Sequence, residues 1–126
     1  MLCDLAQLTA FDDETTIARM AGRQSFPVVY VAQVEDHLRA IDAKYHTLIR
    51  QRIESQLALD PDHATRNRTP LKPPSVFGAT WELRCGPLNR FRVLYDIDAQ
   101  SHVVHILAIG VKVRNRLFVG GEETKP

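Results

Sequence analysis

Residues 81–109 alternate, and that alternation constrains the chain more than any other feature. Trp81, Leu83 and Cys85 occupy every second place of one run, with Glu82 and Arg84 between them. Phe91, Val93, Tyr95 and Ile97 do the same in the next, against Arg90, Arg92, Leu94 and Asp96. A two-residue period sends successive side chains to opposite faces of a pleated strand. Gly86-Pro87-Leu88-Asn89 and Asp98-Ala99-Gln100-Ser101 supply turn residues between the runs. The third run, His102 to Ile109, is apolar on both faces, as a central strand is, and Gly110 is expected to end it. Two successive hairpins make an antiparallel meander. One of its faces carries Glu82, Arg84, Arg90 and Arg92. The other, with Trp81, Phe91 and Tyr95, needs a cover.

The cover lies upstream. Val28 to Ala32, after Pro27, reads as a short strand. Over residues 34–60, Leu38 and Ile41 recur at helical spacing, and Tyr45, Ile49, Ile53 and Leu57 recur every fourth residue. Asp42-Ala43-Lys44 breaks the stretch into two helices, and Asp60-Pro61-Asp62 ends the second. The expected fold is therefore α+β: a short N-terminal strand, a two-helix hairpin and a three-stranded antiparallel meander. Residues 61–79, which hold four of the seven prolines, read as a long loop with Arg66, Arg68 and Lys72 on it. Such a loop is either functional or a stiff connector. The domain spans residues 26–121, with a short C-terminal tail at 122–126. Residues 1–25 read as an N-terminal extension, with a short helix opened by Asp12-Asp13-Glu14 and a second possible start at Met20.

Net charge conceals an asymmetry. Residues 1–63 hold 6 Lys/Arg and 10 Asp/Glu, and residues 64–126 hold 10 and 5, so the halves carry −4 and +5. The basic half sorts its cations onto the meander and the segment after it, as Arg84, Arg90, Arg92, Lys112, Arg114 and Arg116. A small sheet displaying cations suits a polyanion, above all a phosphate backbone. Lys112, Arg114 and Arg116, with Asn115 among them, form an alternating comb that faces one side if the segment is extended. The plainer reading is an edge strand protected by charge.

Other classes are disfavoured. No apolar run approaches the ~20 residues of a membrane helix, and the acidic N-terminus lacks the basic start of a secretory signal. Cys3 and Cys85 have no CxxC neighbours, which argues against zinc and a disulfide framework and for a reducing cytoplasm. No P-loop, GxGxxG or Ser–His–acid set is present. No metal or other cofactor is expected. His37 reads as a surface residue, and His102 and His105 read as structural more readily than as acids.

The runs W-E-L-R-C-G, R-F-R-V-L-Y-D-I-D and H-I-L-A-I-G-V-K-V-R-N-R-L-F, in this order and spacing, resemble the RelE/ParE superfamily of toxins from type II toxin–antitoxin systems. The resemblance covers residues 26–118, and its tail looks like a translation-blocking sub-group. It implies a compact fold with a basic sheet surface, an acidic antitoxin partner, toxin–antitoxin hetero-oligomers and a site acting on ribosome-bound mRNA without metal. By motif, the site cations are Arg84, Arg92 and Lys112. Arg90, Arg114, Asn115, Arg116, Arg66 and Arg68 are expected to bind RNA. Two positions depart from the best-known nuclease: Glu82 stands where it has a lysine, and Phe118 where it has a tyrosine.

Cleavage of RNA without metal needs a base for the 2′-oxygen, cations for the phosphorane and an acid for the leaving 5′-oxygen. Glu82 is the candidate base; the alternative is a simple ion pair with Arg92 or Arg90. ParE-like members share the fold but inhibit gyrase without cutting RNA, and a decayed toxin would only bind partners. Fold alone does not choose among these. The acidic residues Asp4, Asp12, Asp13 and Glu14 suggest that residues 1–25 shield the cations, as an antitoxin segment would.

Overall fold

The computed structural model describes residues 26–73 and 75–124. The helix expected near Asp12 and its shielding role lie outside the described residues.

The elements run β1 (Val28–Tyr30), α1 (Gln33–Arg39), α2 (His46–Leu57), β2 (Arg68–Pro70), β3 (Trp81–Cys85), β4 (Phe91–Asp98), β5 (Val103–Val113), β6 (Arg116–Val119) and β7 (Glu122–Thr124). This is the expected α+β arrangement. The sheet order is β2-β3-β4-β5-β6-β7, antiparallel throughout, and β1 adds to β5 in parallel. β5 is the central strand, as its two-sided apolarity requires. Its second edge is shared: β1 pairs with Val104–Ile106 and β6 with Gly110–Val113.

The expected apolar stripe is the helix's buried face. Ile49, Ile53 and Leu57 are at most 1% exposed and meet Leu83, Phe91, Val93, Tyr95, Ile106 and Ile109 of the sheet. Each such side chain contributes ~1.5–3 kcal/mol on burial, so this contact stabilises α2 far more than its own helix propensity does. The break falls at 43–45, where a single 3-10 turn forms and Asp42 accepts a hydrogen bond from the Lys44 N–H at 3.1 Å. The two helices lie over the sheet with a cavity of about 600 Å³ between them, lined by Val34, Leu38, Ile49 and Ile109. Trp81 is the expected core anchor, stacked on Tyr95 at a 6.2 Å ring separation.

Four expectations are corrected. The third strand does not end at Gly110: β5 runs to Val113, turns at Arg114-Asn115 with φ of 50° and 71°, and returns as β6. Positive φ at both central residues is the hairpin turn that matches strand twist. The segment read as a tail supplies β7. Residues 61–79 are not one loop, because Arg68–Pro70 pair with Trp81–Leu83. Leu71, Val76 and Ala79 then pack with Leu94, Ala108, Leu117 and Val119. Part of the face opposite the helices is therefore an apolar cluster, and only the remainder carries charge.

Candidate nucleic-acid interface

Pairing register decides which cations meet. Arg84 of β3 stands directly opposite Arg92 of β4, and Arg92 opposite Gly110 of β5. Lys112 lies two residues beyond Gly110 on the same strand, so it shares their face. That sharing depends on a bulge. Leu94 pairs with Ala108 but Tyr95 with Ile106, which leaves Leu107 as an extra residue on β5. Unbroken alternation from Val104 would turn Lys112 toward the helices. Gly110 itself permits the close approach of β6, since a Cβ there would stand 2.7 Å from the Phe118 carbonyl oxygen.

Two guanidinium groups directly opposite one another repel, and local acceptors offset the repulsion. Arg92 Nη1 lies 3.4 Å from Glu82 Oε1, and its Nε donates to the Asn89 carbonyl at 3.0 Å. Both side chains of this pair are less than one-fifth exposed, at 16% and 18%. Arg84 Nη2 donates to the Arg66 carbonyl at 2.8 Å and to Thr69 Oγ1 at 3.2 Å. Its Nε is buried without a partner. The patch thus fixes two guanidinium groups and keeps an unmatched positive charge, with Lys112 beside it and one carboxylate, Glu82, in contact.

The other expected site residues part company. Arg90 does not join this face: its guanidinium lies over the Tyr45 ring at 5.0 Å and the Phe91 ring at 5.3 Å, on the helix side. Arg68 is 8% exposed, and its Nη1 donates to the carbonyls of Gln56 and Asp60, each at 2.9 Å. It caps the C-terminal end of α2, where a cation offsets the helix dipole, and it is not presented to RNA. Arg66 is exposed beside Arg84. The comb is folded in half. Lys112 pairs with Leu117 and Val113 with Arg116, so Lys112 and Arg116 are on opposite faces, with Arg114 and Asn115 exposed at the turn. Arg116 Nε lies 3.9 Å from Glu123. Phe118 pairs with Val111, so it too faces away from Arg92. Its missing hydroxyl subtracts nothing from the Arg92 face.

His102 and His105 lie at the other end of β5 from Gly110. His102 packs edge-on against Phe26 at 5.3 Å. His105 is opposite Asp96, five residues along β5 from Gly110, or roughly 17 Å at the usual strand rise. His37 is buried rather than on the surface, and its Nδ1 accepts from the Ile109 N–H at 3.4 Å. Its place three residues after Val34 and four before Ile41 puts it on the apolar stripe of α1, a spacing that the polar residue type masked. Among the described residues, no three His, Cys, Asp or Glu side chains gather as a metal site would need. No described helix is long and apolar enough to cross a membrane.

The architecture is a RelE-like fold. A chain of the solved toxin–antitoxin complex RelBE2 from Mycobacterium tuberculosis matches it with a TM-score of 0.58 and 20% sequence identity, over 71% of this chain and 93% of that one. No protein-family model and no curated protein match the sequence.

Proposed function

We propose that this protein is the toxin of a toxin–antitoxin pair and that it cleaves ribosome-bound mRNA. The observation that carries the reading is the Arg84–Arg92 pair, with Lys112 on the same face and the Glu82 carboxylate 3.4 Å from Arg92. A phosphate seated between the guanidinium groups relieves their repulsion. Glu82 then takes the proton of the 2′-hydroxyl as its oxygen attacks the phosphorus. Arg84, Arg92 and Lys112 hold the extra charge of the phosphorane. The 5′-oxygen leaves with a proton from water, and a 2′,3′-cyclic phosphate remains. Arg114, Asn115 and exposed Arg66 extend the phosphate track, while Arg116 serves from the other side of the hairpin. Arg68 and Arg90 have no part in it. The RelE-like fold and its toxin–antitoxin neighbour support the toxin role and an antitoxin partner.

Induced expression in bacteria lacking an antitoxin tests this. Growth arrest with transcripts cut inside coding regions is the expected result. Intact transcripts with accumulating DNA breaks would transfer the reading to gyrase inhibition. Absence of arrest would leave a binding module.

A further inference from the structure

A second cavity, of about 310 Å³, opens where α2 passes the β3 edge and the turn after it. β2 pairs with β3 only as far as Leu83, and the Arg84 N–H donates to the Asn67 carbonyl at 2.8 Å, so the stretch beyond, Cys85 to Gly86, is what borders the cavity. Leu48, Arg52 and Gln56 of α2 line one side at four-residue spacing, which puts them on one helix stripe. Asn67 and Asn89 line the other. The volume is at the small end of ligand pockets, which run from roughly 300 to 1,000 Å³.

Arg52 and Asn89 are exposed at this cavity, and Gln56 and Asn67 are half-buried. The side chains of Arg52, Gln56, Asn67 and Asn89 make no hydrogen bond or ion pair with any described residue. Three amides and a guanidinium thus converge with no partner inside the protein, beside the apolar side chains of Leu48 and Leu83. No carboxylate lines the cavity. Arg84 lines it as well and also belongs to the cation pair, so the two sites adjoin. Amides with both donors and acceptors read the edges of unpaired bases, and guanidinium planes stack on them. A bare anion would need the cations but not three amides.

The geometry points to a pocket for one nucleobase of single-stranded RNA, seated between α2 and the β3–β4 turn, next to the phosphate on Arg84 and Arg92. This rests on the RNA reading above, and it makes Gln56, Asn67 and Asn89 the residues that set base preference. The pocket binds the base by its edge; Arg84 holds the phosphate at its mouth.

Nucleoside 5′-monophosphates, titrated into the full chain and followed by side-chain amide NMR, test the pocket without requiring cleavage. At least one of AMP, GMP, CMP and UMP should shift the Gln56, Asn67 and Asn89 amide signals, and ribose 5-phosphate should not. Gln56→Ala and Asn67→Ala remove side chains with no bonds inside the protein, so both should stay folded by circular dichroism. Each should weaken the preferred nucleotide about tenfold, leave ribose 5-phosphate binding unchanged and alter the base beside the cut in mRNA. Equal shifts from ribose 5-phosphate, or no amide shift from any nucleotide, overturn the pocket. So does an unchanged base preference at the cut in both variants. Nucleotide-specific shifts in a protein that leaves cellular transcripts whole would keep the pocket and remove the nuclease.

Discussion

The Nδ1 of His37 accepts the backbone N–H of Ile109 at 3.4 Å, in the gap between the two strands that share one edge of β5. β1 stops opposite Ile106 and β6 ends opposite Gly110, so this N–H, between them, has no strand partner. A helix side chain fills the place of a missing ladder bond. An orphaned backbone donor in the core costs ~1–3 kcal/mol, which the imidazole prevents only while Nδ1 is unprotonated.

That bond predicts a pH dependence. Burial lowers the His37 pKa from its ordinary 6.5, and Asp36 opposes the shift only in part. The unfolded chain therefore binds the proton first. The stabilisation is complete above pH 6.5 and is lost as pH falls through and below that value. Urea unfolding at pH 7.5 and 5.5 should show a drop in stability that is smaller in His37→Gln, by at most ~1.4 kcal/mol per pH unit. Equal drops in both proteins would remove His37 as the cause.

Arg92 and Glu82 separate catalysis from packing. Because Arg92 is only 16% exposed and paired, Arg92→Ala should both unsettle Glu82 and abolish cleavage. Arg92→Lys keeps the charge and loses the fork to Glu82 and Asn89, so it should fold and still lose ~10²–10³ in rate. Glu82→Gln should fold equally well and cleave at a small fraction of the wild-type rate. Undiminished cleavage by folded Glu82→Gln, in single-turnover assays on ribosome-bound mRNA, would show the carboxylate to be only Arg92's partner.

Arg68 gives the opposite pattern. Arg68→Met leaves the Gln56 and Asp60 carbonyls without their shared donor. Hydrogen bonds to a charged group contribute ~1.5–3 kcal/mol, and denaturant unfolding should show a loss of that size. RNA affinity at temperatures where the variant is folded should match wild type. A salt dependence of RNA binding reduced by one charge would instead return Arg68 to the interface.

Cys85 should be chemically silent. Burial pushes its thiol up to about 11, and the pull of Arg52 does not reverse this. In a Cys3→Ala background, iodoacetamide at pH 8 should modify Cys85 slowly in the folded protein and rapidly in urea. Rapid native labelling would mean that the β3 end opens often.

Much of the fold was legible in the sequence because it is local. The two-residue period of Trp81–Ile97 and the four-residue period of Tyr45–Leu57 each report how a single element faces its core, and both elements lie where those periods put them. Asp42 and Pro61 mark helix ends through the chemistry of their own side chains. Arg84 and Arg92 face each other because two uninterrupted strands meet through one short turn.

Where Lys112, Arg116, Arg68 and His37 finish is not local. A strand's facing is counted from its partner, and the extra residue at Leu107 resets that count on β5, which carries Lys112 to the Arg92 face. The turn at Arg114-Asn115 then divides the comb between two faces. Arg68 and His37 are buried because each meets backbone groups from distant segments, the carbonyls that end α2 and one N–H of β5. Periodicity and turn chemistry were enough to set the strands, the helices and the presence of a cationic sheet. Which cations share a face emerged only on folding, because facing depends on register between strands and capping on groups far apart in the chain.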